Sequence, residues 1–262
     1  MIDGRTRCVL ACLCAAAVVS GAAAEDTKKK GIDWEAGVVR ATGSGAPDLN
    51  APNIAVARLG AERAAKLDAM RNILETLKGV QVTAGSTVGG IMESDSRVKA
   101  EIQGIVRNFK IVDTRYYSDG GVEVDVEMKL DGKLTRLLMP PVEKKKVPTG
   151  GAKKWTSLII DARGQEASPV VVPSVVDEKG EEIYGPSVVS DEAVERHGMV
   201  AYVGSLEAAK KSERAGEKPL VVKALRAENG RFVITNADAS PLKSPENDLS
   251  FLAEGRVLVV LN

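Results

Sequence analysis

A single histidine is the first place to look for chemistry in this sequence, and its surroundings are not those of a catalytic base. His197 is the only histidine among 262 residues, so a metal site built from several imidazoles is excluded. A serine nucleophile would need His197 as its base, but the sequence contains no nucleophile-elbow motif. We expect His197 to be a turn or surface residue beside Gly198. We predict no catalytic residue, no metal ligand and no cofactor-binding residue, and therefore no enzyme.

Acidic side chains form two clusters in the sequence. Asp125 and Glu127 share one face of a predicted strand, and four acids surround a predicted turn: Asp177, Glu178, Glu181 and Glu182. Neither cluster has the alternating oxygen ligands and closing glutamate of a calcium loop, so we interpret them as a solvated sheet face and a solvated turn. Two carboxylates brought together by folding could still serve a glycosidase. Such enzymes normally use aromatic platforms for sugar, and this chain has two Trp, four Tyr and three Phe.

Two glycine-rich stretches lack the residues that would complete a phosphate or dinucleotide site. No Gly-Lys-Ser/Thr follows the glycines of "GSTVGGIMES" to hold phosphate and magnesium. In "ATGSGAPD", Pro47 stands where a dinucleotide site needs the first turn of a helix. We therefore predict no nucleotide cofactor.

The N-terminus has the pattern of a secretory signal peptide. Arg5 and Arg7 precede the apolar run "CVLACLCAAAVVS", and an Ala-rich end follows it. We predict cleavage after Ala24, which makes 1–24 the signal peptide, exports the protein to the periplasm and removes all three cysteines. Lipidation at Cys12, within "VLAC", is the less favoured alternative.

Charge and hydropathy exclude two classes of function. The chain has 36 basic and 36 acidic residues, so it lacks the basic footprint of a nucleic-acid-binding protein. No segment after the signal peptide is apolar for the roughly 20 residues that a membrane-spanning helix needs. We expect a protein that is soluble or attached peripherally to the outer membrane.

The mature chain divides into two α+β domains, 25–139 and 155–262. Between them, residues 140–154 are rich in proline, glycine and lysine, and such composition favours an extended, solvated linker. Its lysines could alternatively contact anionic lipid headgroups. In the second domain we predict a mostly antiparallel sheet, with turns at 177–180 and 228–230, a short helix at 205–216 and a central final strand.

The first domain is predicted to pack a long and a short helix on an antiparallel sheet. A strand around 34–42 precedes a helix from Ile54 to about Lys78, with Asn53 as its N-cap and Gly79 as a left-handed C-cap. The expected buried stripe of the helix is Ala57, Gly60, Ala64, Leu67, Met70, Leu74 and Leu77. A strand or extended arm at 80–88, a helix capped by Ser94 or Asp95, and a hairpin turning at 118–121 complete the domain.

The stretch from Ala57 to Leu130 resembles the lipoprotein-20 family of bacterial outer-membrane proteins. The matching features are "AERAAKLDAMRNILETLKGVQV", Gly104 after the short helix and the Asp119-Gly120 hairpin. The family includes FlgP-like flagellar proteins, and a similar domain occurs in FlgT. The resemblance implies a non-enzymatic envelope protein, often an assembly component near the outer membrane. This chain departs from the pattern in its weak lipidation motif and its long C-terminal domain.

Two functional hypotheses follow from these observations. The first is a structural or assembly component of the cell envelope, which self-associates through exposed sheet edges or the arm at 80–88 and contacts other envelope proteins. The second is a periplasmic binding module whose second domain holds a small ligand or peptide.

Overall fold

The computed structural model describes residues 30–261. The predicted signal peptide, its cleavage site and the alternative lipidation site therefore lie outside the described residues. Within residues 30–261, no helix combines the length and apolarity needed to cross a membrane.

Helices and strands alternate along the whole described chain. The helices are α1 (Ile54–Lys78), α2 (Val88–Ser94), α3 (Ser96–Val106), α4 (Gly132–Leu138), α5 (Asp191–His197), α6 (Leu206–Lys211), α7 (Asn236–Ala239) and α8 (Ser250–Ala253). The strands are β1 (Gly31–Asp33), β2 (Val38–Gly45), β3 (Gln81–Thr83), β4 (Ser86–Thr87), β5 (Lys110–Tyr116), β6 (Val122–Lys129), β7 (Ser157–Asp161), β8 (Ser174–Asp177), β9 (Glu182–Tyr184), β10 (Ala201–Val203), β11 (Pro219–Lys223), β12 (Arg226–Glu228), β13 (Arg231–Ile234) and β14 (Val257–Val260).

The N-terminal part is an antiparallel sheet with helices on one face, which confirms the α+β class. Its strand order is β1-β2-β6-β5, and every neighbouring pair is antiparallel. The valines at alternate positions of β6 are buried under α1, while the acids between them face the other way. The predicted hairpin between β5 and β6 is confirmed, with Gly120 at φ 87° in its turn.

Helix α1 begins and ends where the sequence predicts, but it buries a different stripe. The residues facing the sheet are spaced by four: Ala57, Ala61, Ala65, Ala69, Ile73 and Leu77. Leu67, expected in the core, is 61% exposed. The reason lies on β2, where Gly43 and Gly45 have no side chains and so admit the alanine stripe at backbone contact. Leu67 therefore lies on the outer side of α1.

The segment after α1 also differs from expectation. Gly79 has φ −74°, so it is not the predicted left-handed cap. Of the two alternatives for residues 80–88, a strand or an extended arm, the strand is confirmed, because β3 and β4 form a short hairpin that leads directly into α2. The outer side of β3 is already paired, since Val171 N donates to Gln81 O at 3.0 Å and Val172 N to Val82 O at 2.8 Å. Strand β3 is therefore not available to pair with another subunit.

The C-terminal part contains two four-stranded sheets, ordered β10-β14-β7-β11 and β12-β13-β8-β9. The first sheet is parallel throughout, and the second mixes parallel and antiparallel pairs. The expectation of mostly antiparallel pairing was therefore wrong. Central strands β7 and β14 are continuous apolar runs buried on both faces, a pattern typical of parallel sheets. The predicted central position of the final strand is confirmed.

The segment 140–154 has no helix or strand and most of its residues are exposed, but it is attached to the C-terminal part by backbone hydrogen bonds. Lys145 N donates to Ser187 O at 2.7 Å, and Leu249 N donates to Pro148 O at 2.8 Å. Helix α4, which precedes this segment, was not predicted from the sequence. Helix α4 packs so closely on α5 that a Cβ on Gly132 would collide with the α5 backbone. One cluster of buried apolar side chains runs from Val39 to Leu261 through both parts. The two parts therefore share a core.

Candidate functional site

His197 is an exposed residue at the end of α5, as predicted. Its Nε2 lies 3.1 Å from Glu254 O. A carbonyl oxygen only accepts hydrogen bonds, so Nε2 carries the proton and Nδ1 is unprotonated in the neutral ring. Burial lowers the pKa of His197, and the positive charge of Arg214 lowers it further. His197 is therefore a neutral side chain at pH 7, held by a carbonyl at Nε2.

Arg214 is the most unusual ionisable group of the C-terminal part, because its hydrogen-bond acceptors are all backbone carbonyls. Nε donates to Gly255 O at 2.7 Å, Nη1 to His197 O at 3.2 Å, and Nη2 to Gly198 O at 3.0 Å and Met199 O at 2.6 Å. These carbonyls end α5 and the turn after α8, where helix ends leave acceptors without partners. Burial lowers the pKa of Arg214 to about 10, so it stays charged at neutral pH.

A cavity of about 180 Å³ lies beside Arg214, where the N-terminal and C-terminal parts meet. Its walls include Trp34, Leu134, Met199 and Tyr202. The Trp34 and Tyr202 rings meet edge to face with centroids 5.6 Å apart. The Tyr202 hydroxyl donates to Val170 O at 2.9 Å. The cavity wall therefore combines these apolar and aromatic side chains with polar groups, among them the Arg214 guanidinium.

A larger groove of about 1010 Å³ runs between α3, α4, α5 and residues 139–144. Asp191 lines the groove and forms ion pairs with two cations. Arg136 Nη2 lies 2.7 Å from Asp191 Oδ2, and Lys144 Nζ lies 2.9 Å from Asp191 Oδ1. The Lys144 hydrogen bond is the main cause of the lowered pKa of Asp191. Lys144, predicted as part of a solvated linker, is exposed and forms an ion pair with Asp191.

The carboxylate clusters are ion-paired rather than simply solvated. On the open face of the N-terminal sheet, Arg115 Nη2 donates to Asp125 at 3.1 Å and Arg40 Nε to Glu127 at 2.9 Å. At the turn after β8, Asp177 is only 2% exposed and lies 2.7 Å from Lys243 Nζ. The expectation of a solvated turn was wrong for Asp177, because its distant cationic partner could not be read from local sequence.

The other acids of that turn differ from Asp177 in their surroundings. Glu178 and Glu181 are exposed, and Glu182 accepts a hydrogen bond from the Ser187 hydroxyl at 3.0 Å. Within residues 30–261, no group of three or more histidine, cysteine or acidic residues is placed to hold a metal ion.

An exposed apolar surface lies along strand β5 and the outer side of α1. Ile111 is 39% exposed, Val112 47% and Tyr116 52%. Beside them on α1, Glu62 accepts a hydrogen bond from the Tyr116 hydroxyl at 3.2 Å, while Leu59 remains exposed. Strand β5 is also the edge of its sheet. We call β5 and the exposed residues of α1 beside it the edge surface.

Sequence reasoning missed the most distinctive of these features. Arg214 belongs to no sequence motif, because its hydrogen-bond acceptors come from two other segments of the chain. Leu67, which was expected to be buried, is exposed on the outer side of α1 instead.

The comparisons with known proteins concern only the C-terminal part. A search of curated proteins found no match. Residues 157–262, which begin at β7 and include both C-terminal sheets, are similar to a family described as the second domain of Treponema pallidum Tp0624.

Proposed function

We propose that this chain is a non-enzymatic, exported protein of the cell envelope that works as a structural or assembly component at the outer membrane and associates with itself. The resemblance of residues 57–130 to the lipoprotein-20 family supports this role and makes flagellar assembly one candidate setting. The observation that carries the proposal is the edge surface, where apolar side chains adjoin an unpaired strand edge. Open strand edges readily pair with another chain.

The occupant that we propose for the edge surface is a second copy of this chain. Strand β5 is irregular at Val112, because its register with β6 shifts between Ile111 and Asp113. Antiparallel pairing of β5 with its copy, centred on this irregularity, would place each Lys110 opposite the other copy's Asp113. Lys110 and Asp113 both point to the open face of the sheet, because they pair with Glu127 and Asp125 of β6. Opposite charges directly across a strand pair are stabilising. The strand is therefore charge-complementary to itself in this register.

Ile111 adds an apolar contribution to this arrangement. It points to the helix side of the sheet, opposite the buried Val126 of β6. In the proposed pair, Ile111 of each copy would lie opposite Val112 of the other copy within a continuous eight-stranded sheet. Burial of these side chains would add hydrophobic stabilisation to the strand hydrogen bonds.

Charge exchange tests the pairing. We expect the mature chain, residues 25–262, to sediment as a dimer or larger species at micromolar concentration. Lys110→Glu alone and Asp113→Lys alone should each weaken association, and the double variant should restore it. Lys99→Glu, on exposed α3, is the matched control and should leave association unchanged. A wild-type monomer at high micromolar concentration would contradict the proposal.

A second candidate function, a periplasmic binding module, is favoured by the groove between α3, α4 and α5. Its volume of about 1010 Å³ is at the upper end for small-molecule sites, and such sites occur preferentially between structural units. A panel of peptidoglycan fragments and short peptides that raises the melting temperature of a monomeric protein would favour this function over assembly.

A further inference from the structure

The cavity beside Arg214 has the size and lining of a small-ligand site. About 180 Å³ is slightly more than the volume of a cavity that holds benzene. Trp34, Leu134 and Met199 provide an apolar wall. A cavity of this size accepts an apolar body about as large as one benzene ring.

The charge beside this wall is not balanced by a carboxylate. All the hydrogen bonds that Arg214 makes within residues 30–261 go to carbonyl oxygens. The side chains whose charges affect its pKa are Tyr184 and Arg256, neither of which is a carboxylate. Glu35 also lines the cavity, but it is exposed and does not approach the guanidinium within ion-pair distance. The partly desolvated positive charge therefore favours an anion.

The guanidinium also has a hydrogen available for that anion. A guanidinium carries five N–H groups, two of them on each Nη atom. Nη1 of Arg214 makes a single hydrogen bond, to His197 O. Its second N–H is therefore uncommitted, and a carboxylate oxygen would accept it as a charge-assisted hydrogen bond.

We propose that this cavity binds a small organic carboxylate, with its apolar body against Trp34 and its carboxylate at Nη1 of Arg214. The site is formed by both parts of the chain, since Trp34 and Leu134 belong to the N-terminal part and Arg214 to the C-terminal part. The inference concerns a different surface from the edge surface and does not depend on self-association.

Tryptophan fluorescence provides a direct test, because the chain has two Trp residues and only Trp34 lines the cavity. Trp155→Leu leaves Trp34 as the single reporter. We expect benzoate to change the Trp34 emission in a saturable titration at constant ionic strength, with a Kd in the millimolar range given its few heavy atoms. Benzamide, the neutral analogue of the same shape, should bind about tenfold more weakly.

Variants locate the binding to this cavity. With heteronuclear NMR as the readout, Trp34→Leu should weaken benzoate binding about tenfold, whereas Trp155→Leu, the matched control, should not. Arg214→Lys keeps the charge but removes the fixed fork of donors, so it should reduce the preference for benzoate over benzamide. Glu35→Gln should tighten benzoate binding, because it removes a like charge.

Two results would overturn the inference. The first is the absence of any response to benzoate in folded wild-type protein at tens of millimolar. The second is equal binding of benzoate and benzamide, which would show a cavity that selects shape without charge.

Discussion

Replacing Gly43 by alanine should separate α1 from the sheet that supports it. A Cβ on Gly43 would lie 2.6 Å from Ala69 Cα and closer still to the backbone N of Ala69 and O of Ala65. These are backbone atoms of a long helix, so no side-chain rotation relieves the contact. Either the helix or strand β2 must move, which breaks close packing in the centre of the N-terminal part.

The magnitude follows from the cost of overpacking. Adding a methyl group to a well-packed core costs about 1–3 kcal/mol. A cost of about 2 kcal/mol corresponds to a fall in Tm of about 4–8 °C for a chain of this size. We expect Gly43→Ala to reach at least this value, measured by urea denaturation and by thermal melting followed with circular dichroism.

Gly60→Ala, a glycine-to-alanine change within α1, is the matched control. A Cβ on Gly60 meets no atom within 4 Å, and alanine is favoured over glycine in a helix by about 1 kcal/mol. This variant should therefore be more stable than wild type. The double variant Gly43→Ala with Ala69→Gly should not recover stability, because the clash involves the Ala69 backbone. Wild-type stability for Gly43→Ala, with a normal response of Gly60→Ala, would refute the close helix–sheet contact.

Two further predictions concern single ionisable groups. Arg214→Met should lower the free energy of unfolding by about 3 kcal/mol in urea denaturation, since this variant leaves several partly buried carbonyls without a donor. The stability of Arg214→Lys should lie between that of Arg214→Met and that of wild type. Equal stability of all three proteins would show that solvent satisfies those carbonyls. The Lys243 hydrogen bond holds the pKa of Asp177 below its usual 3.8, so its stabilising contribution is present above about pH 4 and is lost as the pH falls through the folded-state pKa. Thermal melts from pH 6 to pH 2 should show a shallower loss of stability for Lys243→Met than for wild type, and parallel curves would contradict the coupling.

Local signals in the sequence located the starts of α1, α3 and α6 and several hairpins, although α6 ends at Lys211 and not at the predicted Gly216. Asn53 caps α1 through a hydrogen bond from Val56 N at 3.0 Å, and Asp95 caps α3, as their residue types predict. The turn at Asn229-Gly230, with both residues at positive φ, joins β12 and β13 as expected. These features depend on neighbours within a few residues, so the chain carries their signal locally.

The errors arose where a distant partner decides the outcome. The face that α1 buries depends on Gly43 and Gly45, which belong to a different strand. Strand directions in the C-terminal sheets depend on connections that periodicity does not encode. Arg214 is recognisable only when carbonyls from residues 197–199 and 255 are placed around it.

The pairing of residues 171–172 with strand β3 has a mechanical consequence. A protein held between an anchor and a moving partner experiences tension across its junctions. In this chain, a pull that separates the two parts must break the hydrogen bonds from Val171 and Val172 together with the α4–α5 contact. The connecting segment 140–154 is itself fastened to the C-terminal part, so it offers no slack to absorb extension. The junction should therefore yield abruptly at a threshold force rather than stretch gradually.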